Sequence, residues 1–588
     1  MKNPSALALS LPSSKQMDHP VNKSNTLHTP HAAVCAIAVA LVGSGIASAQ
    51  TTPDAGALLK QIEQQRPVPL PPQSVPQFMP PPPLQSLGGA TVTVTAFRFA
   101  GNTLLSAEQL VPSVSDFLNR PLGFSELQNA AIAVAAAYRK AGWVVRVYLP
   151  QQDIQDGVVT IQVVEAVLGA VQLQGESKRI SAATLKSMVE ATQPLGTPVN
   201  GDLLDRALLL IDDLPGLNAS GRLSEGQNQA ETDLVLDVAD SSLITGEITA
   251  DNTGSRSTGS DRISGNANLN SPLGLGDLAS ASLIYTQGSD YLRAAYSLPV
   301  GNQGWRLGVN ASHLSYKVVT PDASALDAQG TSTTSGVDAN YPLVRSRQNN
   351  LYFAFTFDQK SFDNRSAGAS TTRYKTQIAS VGLNGNVFDN LGGGGANTAN
   401  IAFVQGRVDL SGSPNEAADA ASTQTADGFN KLRFGASRQQ VLTDTVSLFA
   451  GLSGQVVSKN LDSSEKFYLG GSSGVRAYPA SEGAGSEGRL LNLEVRTRLP
   501  DNFTLTGFYD WGSVLVNKNN NIAGAAALNS YDLKGVGLSL SWASTFGLSV
   551  KASLAHRIGD NPNPTPNGND QDGSLNVNRF WLQASMPF

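Results

Sequence analysis

The chain has 588 residues, a net charge of −6 and 15% charged residues, so it exceeds one compact domain and lacks the basic charge of nucleic-acid-binding proteins. Hydrophobic residues make up 41%, glycine is plentiful at 56 residues, and no long apolar run follows the N-terminal region. This profile argues against a membrane protein built of helices. It is typical of a β-barrel, in which only alternate residues face lipid.

The first 49 residues are predicted to form a secretory signal peptide. A polar segment with three lysines precedes the apolar run 32–46, and Ala47-Ser48-Ala49 follows as a cleavage site. The run is shorter than the roughly 20 apolar residues of a spanning helix, which argues against an uncleaved anchor. The single cysteine, Cys35, lies in this leader, so the mature chain is expected to have no disulfide or thiol chemistry.

A short amphipathic helix is predicted within residues 50–66, because Leu58, Leu59 and Ile62 share one helical face. Residues 67–91 follow as a proline-rich linker, a composition that favours an extended, semi-rigid conformation. A small helix at the end of a stiff tether is therefore predicted. A disordered leader with incidental helicity is the alternative.

Two units, residues 92–166 and 167–239, share the predicted order strand, helix, helix, strand, strand and form an internal repeat. The first unit contains a set of motif residues: Phe97, Gly101, Asn102, Tyr138, Gly142, Pro150, Gln151 and Gly157. Through these residues the units resemble POTRA domains, the periplasmic modules of outer-membrane assembly and secretion barrels. The resemblance implies that they bind an unfolded client by strand addition at a sheet edge. A role as spacers is the alternative.

Residues 240–588 are predicted to form an antiparallel barrel of sixteen transmembrane strands, giving α+β periplasmic domains followed by an all-β domain. Segments of about ten residues alternate apolar and polar side chains. Alternation alone also fits a soluble sandwich. Connections after even-numbered strands are mostly short and those after odd-numbered strands mostly long, which is typical of outer-membrane barrels with periplasmic termini. The chain ends on an alternating strand with Phe588, predicted to be the signal for membrane insertion.

Two motifs are predicted to meet inside this barrel. The sixth long loop contains the first motif, Val475, Arg476, Ala477 and Tyr478, and strand thirteen contains the second, Phe508 and Asp510. An arginine in a loop that folds back into a hollow barrel needs an acidic partner, and Asp510 can accept two charge-assisted hydrogen bonds. A solvated loop arginine without a dedicated partner is the alternative on spacing alone.

Together with the helix, the linker and the repeats, these motifs resemble the two-partner secretion transporters, such as the haemolysin and filamentous haemagglutinin secretion proteins. That family carries Val-Arg-Gly-Tyr or Val-Arg-Gly-Phe in a sixth loop that enters the lumen and contacts an aromatic-x-Asp motif. Ala477 departs from the family glycine, which leaves the loop-tip conformation open. The resemblance implies that POTRA domains recognise an unfolded TpsA-like exoprotein (adhesin, haemolysin or toxin), which leaves through the barrel once the plug helix and the loop yield.

An outer-membrane assembly factor that inserts other β-barrels is the alternative function, although such factors usually have more POTRA units and lack the N-terminal helix. A passive porin is disfavoured by the two repeats. No enzyme is predicted, because the histidines beyond the leader, His313 and His556, lack metal-ligand spacing. The expected contacts are the exported partner, outer-membrane lipid and the barrel assembly machinery, without cofactor, metal or nucleic acid.

Overall fold

The computed structural model describes residues 53–65, 91–228, 230–321 and 326–588. The predicted signal peptide lies outside these residues, as does the predicted linker up to residue 90. Among the residues described, no helix is both long and apolar enough to cross a membrane.

An N-terminal helix and two small α/β units precede a large barrel. The helix is α1 (Ala55–Gln65). The first unit comprises β1 (Val92–Thr93), β2 (Ala96–Ala100), α2 (Ala107–Val114), β3 (Pro121–Leu122), α3 (Phe124–Lys140), β4 (Val145–Tyr148) and β5 (Val158–Glu165). The second comprises β6 (Val167–Gln174), α4 (Ala182–Thr192), α5 (Gly201–Asp212), β7 (Leu217–Glu225) and β8 (Glu231–Asp240).

The two units share one sheet topology. The strand orders are β2-β5-β4 and β6-β8-β7, and in both the first strand runs parallel to the last. Helices α4 and α5 cover the second sheet with a buried apolar core that includes Leu185, Ile211 and Leu236. The two units are also joined by main-chain hydrogen bonds, because Val144 N donates to Val199 O at 3.0 Å and Val199 N to Ala166 O at 2.8 Å.

Sixteen antiparallel strands close into a barrel in which neighbours in sequence are neighbours in space. They are β9 (Ile244–Asp251), β10 (Arg262–Asn270), β11 (Leu278–Thr286), β12 (Ser289–Val300), β13 (Trp305–Lys317), β14 (Gln329–Arg345), β15 (Asn349–Ser366), β16 (Ala369–Asp389), β17 (Gly395–Asp409), β18 (Asp427–Val441), β19 (Val446–Val457), β22 (Glu487–Arg498), β23 (Phe503–Leu515), β24 (Ser530–Ala543), β25 (Ser549–Arg557) and β26 (Asn578–Pro587). The prediction of a sixteen-stranded barrel is confirmed.

Large apolar side chains point outward at alternate positions of the strands. Ile248, Leu283 and Leu292 are each more than half exposed, on strands whose neighbouring side chains point into the lumen. An outer surface of this kind needs lipid to cover it, because its apolar area has no protein partner.

The second unit is held against the barrel through α5. Arg345, at the end of β14, donates two hydrogen bonds of 2.8 Å to Asp213, and Arg347 in the following turn lies 2.7 Å from Asp205. Arg206 donates to the Pro342 carbonyl at 2.7 Å. The turn between β14 and β15 is therefore one docking point of the second unit.

Two elements fill the barrel. The first is α1. The second is loop 6, residues 458–486 between β19 and β22, which contains β20 (Phe467–Tyr468), β21 (Ala484–Gly485) and a short 3₁₀ turn, Ser463–Glu465. A further short helix, α6 (Glu416–Ala421), lies in the connection between β17 and β18.

Candidate functional site

The tip of loop 6, residues 469–482, has its own hydrogen-bonded structure. Val475 N donates to Leu469 O at 2.7 Å, Gly471 N to Tyr478 O at 3.0 Å, and Tyr478 N to Val475 O at 3.0 Å. Val475 is fully buried and Tyr478 is 1% exposed. The tip therefore enters the barrel as a compact, apolar-faced element.

Arg476 at this tip pairs with Asp510 on β23, the thirteenth strand of the barrel. The main-chain N–H and Nε of Arg476 donate to Asp510 Oδ2 at 3.0 and 2.9 Å, and Nη2 donates to Oδ1 at 2.7 Å. The arginine is 4% exposed and the aspartate fully buried. Two parallel hydrogen bonds between a planar guanidinium and a carboxylate form an ion pair that is both strong and directional. The structure thus brings the two predicted motifs together.

Sequence reasoning missed two further partners of this pair, both on β22. Glu494 Oε1 accepts a 2.9 Å hydrogen bond from Arg476 Nη1. Asn492 Nδ2 donates to Asp510 Oδ1 at 2.8 Å and to Gly474 O at 3.2 Å. The sequence signal for them was the alternation of side chains along the strand, which puts Asn492 and Glu494 on the same face. Their register opposite Asp510 and Phe508 completes the site.

Aromatic rings hold the two faces of the tip. The Arg476 guanidinium carbon lies 3.5 Å from the centroid of the Phe508 ring, which is a cation–π contact. On the other side, the Arg557 guanidinium carbon lies 4.3 Å from the ring of Tyr478. The aromatic residue of the strand motif and that of the loop motif therefore both contact a buried arginine.

Ala477, where the resembling family has glycine, fits without strain. Its φ is not positive and its side chain is fully buried. Opposite it on β24 stands Gly535, where an added Cβ would lie 2.7 Å from the Ala477 Cβ. The missing side chain at 535 makes room for the methyl group at 477, which answers the question of tip conformation that the sequence left open.

Helix α1 lies in the lumen with its apolar face buried. Ala55, Leu58 and Leu59 pack in one cluster with barrel side chains and with Leu461 of loop 6. Gly56 makes the approach close, because a Cβ there would lie 2.6 Å from the Tyr374 hydroxyl and 2.9 Å from Ser463 Oγ. The helix is about 16 Å long by its residue count.

Buried charges tie α1 to the wall and to loop 6. Lys360 on β15 donates to Glu63 at 2.6 Å and lies 4.0 Å from Glu465 in loop 6, which also pairs with Lys431 on β18. Lys60 of the helix is 4% exposed beside this group. Removing one partner from such a cluster leaves a buried charge uncompensated.

Both ends of α1 are also fixed by hydrogen bonds. At the N-terminus, Asp54 Oδ1 accepts from Ala57 N and from Ser463 Oγ, each at 2.8 Å. At the C-terminus, Gln65 Oε1 accepts from Arg262 Nη1 at 2.7 Å, and Arg262 in turn pairs with Asp251 at 3.1 Å. The helix thus bridges loop 6 and the first barrel hairpin.

The first POTRA-like unit uses its motif residues structurally. Gly101, Gly142 and Gly157 all have positive φ. Asn102 Nδ2 donates to Leu105 O at 3.0 Å, and Phe97 packs against the buried core.

Tyr138 is fully buried, and its hydroxyl donates to Glu165 at 2.9 Å. Glu165 is a residue that sequence reasoning missed. Burial alone raises its pKa, but hydrogen bonds from Leu104 N, Thr103 and Tyr138 outweigh burial and lower the pKa below its usual value. The carboxylate therefore fastens the loop before α2 to the end of β5.

Within the Pro150-Gln151-Gln152 turn, the second glutamine makes the contacts. Gln152 Nε2 donates to Thr160 O at 2.8 Å, and Thr160 N donates to Gln152 Oε1 at 2.7 Å, as a main-chain partner would. Pro150 is half-buried and Gln151 is exposed. Gln152 is therefore the motif glutamine with a visible structural role.

Phe588, the residue after β26, extends the pairing between the last and the first strand of the barrel. Its main chain exchanges hydrogen bonds of 2.9 and 3.0 Å with Gly246 on β9.

In the described part of the chain, no group of three or more His, Cys, Asp or Glu side chains is arranged to hold a metal ion.

Comparison with known proteins places these features in one family. A sequence profile described as "Haemolysin secretion/activation protein ShlB/FhaC/HecB" matches residues 230–539, and one described as "POTRA domain, ShlB-type" matches residues 92–166.

Two curated relatives match at similar identity. The Heme/hemopexin transporter protein HuxB of Haemophilus influenzae (strain 86-028NP) is 26% identical over 497 residues, which are 83% of this chain and 85% of HuxB. The Outer membrane transporter CdiB of Dickeya dadantii (strain 3937) is 23% identical over 75% of this chain and 79% of its own length.

Solved structures share the fold. CdiB from Escherichia coli superposes with a TM-score of 0.65 at 21% identity, covering 90% of this chain and 95% of that chain. CdiB from Acinetobacter baumannii gives 0.59 at 17% identity, covering 90% and 96%. At these identities the similarity establishes the architecture alone.

Proposed function

This chain belongs to the haemolysin secretion/activation protein family ShlB/FhaC/HecB, whose members are outer-membrane transporters of two-partner secretion, and from that membership we propose how its lumen works. The barrel lies in the outer membrane, and the POTRA domains lie in the periplasm. A partner protein is secreted through the pore. We propose that α1 and loop 6 together keep this pore closed until the partner displaces them.

The observation that carries the proposal is the shared occupancy of the lumen. Loop 6 contacts α1 at Ser463 and places Glu465 within 4.0 Å of the lysine that holds Glu63. Because the two elements use the same buried charges, a change in one alters the electrostatic balance of the other. An entering chain that takes the place of α1 therefore also weakens the hold on loop 6.

The periplasmic units supply the first contact with the partner. Strand β4 is bonded to β5 on one side only and stands at the outer position of its sheet. An extended client can add to such an edge through main-chain hydrogen bonds, with little demand on its side chains. We propose that the partner is a large secreted protein of TpsA type and that it binds in this unfolded form.

The signature residues have distinct roles in the proposal. Arg476, Asp510 and Phe508 fix the tip; Val475, Ala477 and Tyr478 fill the space beside it; and Phe588 guides insertion by the barrel assembly machinery. We assign the chain no enzymatic reaction, because displacement of a helix and a loop requires no bond to be made or broken.

The test is a deletion of the gene in its host, with quantitative mass spectrometry of the medium and of the outer membrane. We expect one large exported polypeptide to disappear from the medium and to return with the wild-type gene. Unchanged export, together with a general loss of outer-membrane barrels, would instead assign the chain to barrel assembly.

A further inference from the structure

The tip of loop 6 crosses the inner wall from β22 to β26. Asp510 on β23 holds its guanidinium, Gly535 on β24 receives Ala477, and Arg557 on β25 stacks on Tyr478. The contact with β26, the last strand, has no counterpart in the predicted motifs. It is made by Trp581.

Trp581 binds the main chain of the tip rather than a side chain. Its Nε1–H donates to the Arg476 carbonyl at 2.8 Å, and the indole is 8% exposed. The same residue, Arg476, thus has its side chain fixed to β23 and its carbonyl fixed to β26. A buried carbonyl that loses its donor has no water to replace it, so this bond weighs more than an exposed one.

Trp581 lies on β26, which pairs with β9 to close the barrel, and this pairing is the shortest between neighbouring barrel strands. β26 and β9 pair over five residues, from Gln583 opposite Asp251 to Pro587 opposite Glu247. The next shortest junctions between neighbouring barrel strands, β9 with β10 and β25 with β26, pair over eight. Even with the two bonds that Phe588 exchanges with Gly246 and the bond from Asn252 N to Leu582 O, fewer residues pair across the β9–β26 seam than across any other barrel junction.

Above those five pairs one main-chain bond, from Asn252 N to Leu582 O at 3.2 Å, continues the seam, and the Asn252 side chain adds two more. Asn252 Oδ1 accepts from Leu582 N at 2.8 Å, and its Nδ2 donates to Phe580 O at 3.0 Å. Arg256 crosses the seam and donates to the Asp572 carbonyl at 3.0 Å. Trp581 lies between Phe580 and Leu582, at the level where regular pairing has ended.

We propose that Trp581 is a second positioning residue for loop 6, whose N–H anchors the Arg476 carbonyl to β26, so that departure of the tip loosens the β9–β26 seam. This inference rests on the proposed role of the tip in closing the pore. It adds a mechanical link between the loop and the barrel closure. The motif pair alone does not supply that link, because Asp510 lies three strands away.

The test removes the N–H donor and keeps an aromatic side chain. In full-length protein carrying Ala480→Cys, a buried reporter in the tip, Trp581→Phe is expected to raise labelling by a membrane-impermeant maleimide about tenfold. Trp511→Phe is the matched control, because Trp511 donates its indole N–H to Asp532 in an exposed contact and not to loop 6. The control is expected to label at the wild-type rate.

Hydrogen exchange measures the seam in the same variants. We expect faster exchange in peptides covering 247–251 and 583–587 of Trp581→Phe, and no change in β17 and β18. Unchanged labelling overturns the anchor, and faster labelling with unchanged seam exchange overturns the link. Should Trp581→Phe fail to assemble, benzothienylalanine at 581 keeps the bicyclic ring and lacks only the N–H. Export is scored separately, so a loosened tip with normal secretion counts against the proposed function and leaves the anchor standing.

Discussion

At the residue scale, the charge of Arg476 is balanced by two carboxylates, Asp510 and Glu494, and its position is fixed by an aromatic face beneath it. Each nitrogen of the guanidinium, and the main-chain N–H of Arg476, donates one hydrogen bond to an acceptor on β22 or β23. Arg476 therefore makes most of the polar contacts between the tip and these two strands. Substitution of this residue should affect the tip more than substitution of its neighbours.

Asp510→Ala and Arg476→Ala are expected to release the tip and sharply lower secretion while the barrel still assembles. Each leaves a buried charge short of its main partner, at a cost of roughly 3–5 kcal/mol. Secretion of the partner and heat-modifiable electrophoretic mobility of the barrel are the two readouts.

The matched control for this pair is Lys518→Ala, because Lys518 pairs with Glu487 at 2.7 Å but is 42% exposed. Exposed pairs contribute less than about 1 kcal/mol, so secretion should stay normal. In a double-mutant cycle, Arg476→Ala with Asp510→Ala should lose less than the sum of the single losses. Additive losses, or normal export by both single variants, would remove the pair from the mechanism.

Glu165 predicts a pH dependence in the first POTRA domain. Its pKa is lower in the folded state, so its stabilisation is complete above the pKa of the unfolded chain and disappears as the pH falls through the lower folded value. Glu165→Gln and Tyr138→Phe should each remove about 1–3 kcal/mol, seen as faster hydrogen exchange in α3 and β5 at neutral pH.

At acidic pH the difference between Glu165→Gln and wild type should narrow. Asp153→Asn serves as the control, because Asp153 is an exposed acidic residue of the same unit. Equal exchange in Glu165→Gln and wild type at every pH would contradict the assigned role.

At the element scale, the sequence reveals periodicity but not register. The sixteen strands could be counted from the alternating segments along the chain. The face on which Asp510 lies also follows from alternation, but its partners on other elements do not. Asn492 and Glu494 were missed because their position opposite Asp510 and Phe508 depends on pairing between two strands. Trp581 was missed for a stronger reason, since it contacts a residue 105 positions away through a main-chain atom that carries no sequence signal.

The same limit applies to α1. Leu58 and Leu59 were predicted to share an apolar face, and both are buried. The salt bridge from Glu63 to Lys360 joins residues 297 positions apart, and no local pattern indicates it. The Gln151-Gln152 pair is another contact that the sequence cannot assign. The two residues are of the same type, and only the fold shows that Gln152 reaches β5.

Helix α1 gives the prediction that belongs to this scale. Gly56→Ala adds a methyl group within 2.6 Å of the Tyr374 hydroxyl. Overpacking of this kind costs about 1–3 kcal/mol, so the helix should leave its site more often. A Leu58→Cys reporter, buried when α1 is docked, should then react about tenfold faster with a maleimide.

Gln64→Ala is the control for this test, because Gln64 is the exposed residue of the helix. It should leave the reporter protected. Equal protection in Gly56→Ala and Gln64→Ala would show that the helix tolerates the added methyl and that close approach at Gly56 does not govern docking.

At the scale of the whole molecule, the POTRA units and the two elements inside the barrel are connected through the chain. The POTRA units are joined to each other by main-chain hydrogen bonds and to the β14–β15 turn by Arg345 and Arg347. Strands β14 and β15 continue from that turn to the wall beside α1, where Lys360 holds Glu63. The second POTRA domain and α1 are therefore attached to the same pair of barrel strands.

The most direct measurement is the conductance of single transporters in planar bilayers. Wild type is expected to be mostly closed, deletion of residues 50–66 to give larger and longer openings, and the same deletion with Asp510→Ala to give the largest. Equal conductance in all three proteins would contradict closure of the lumen by α1 and loop 6.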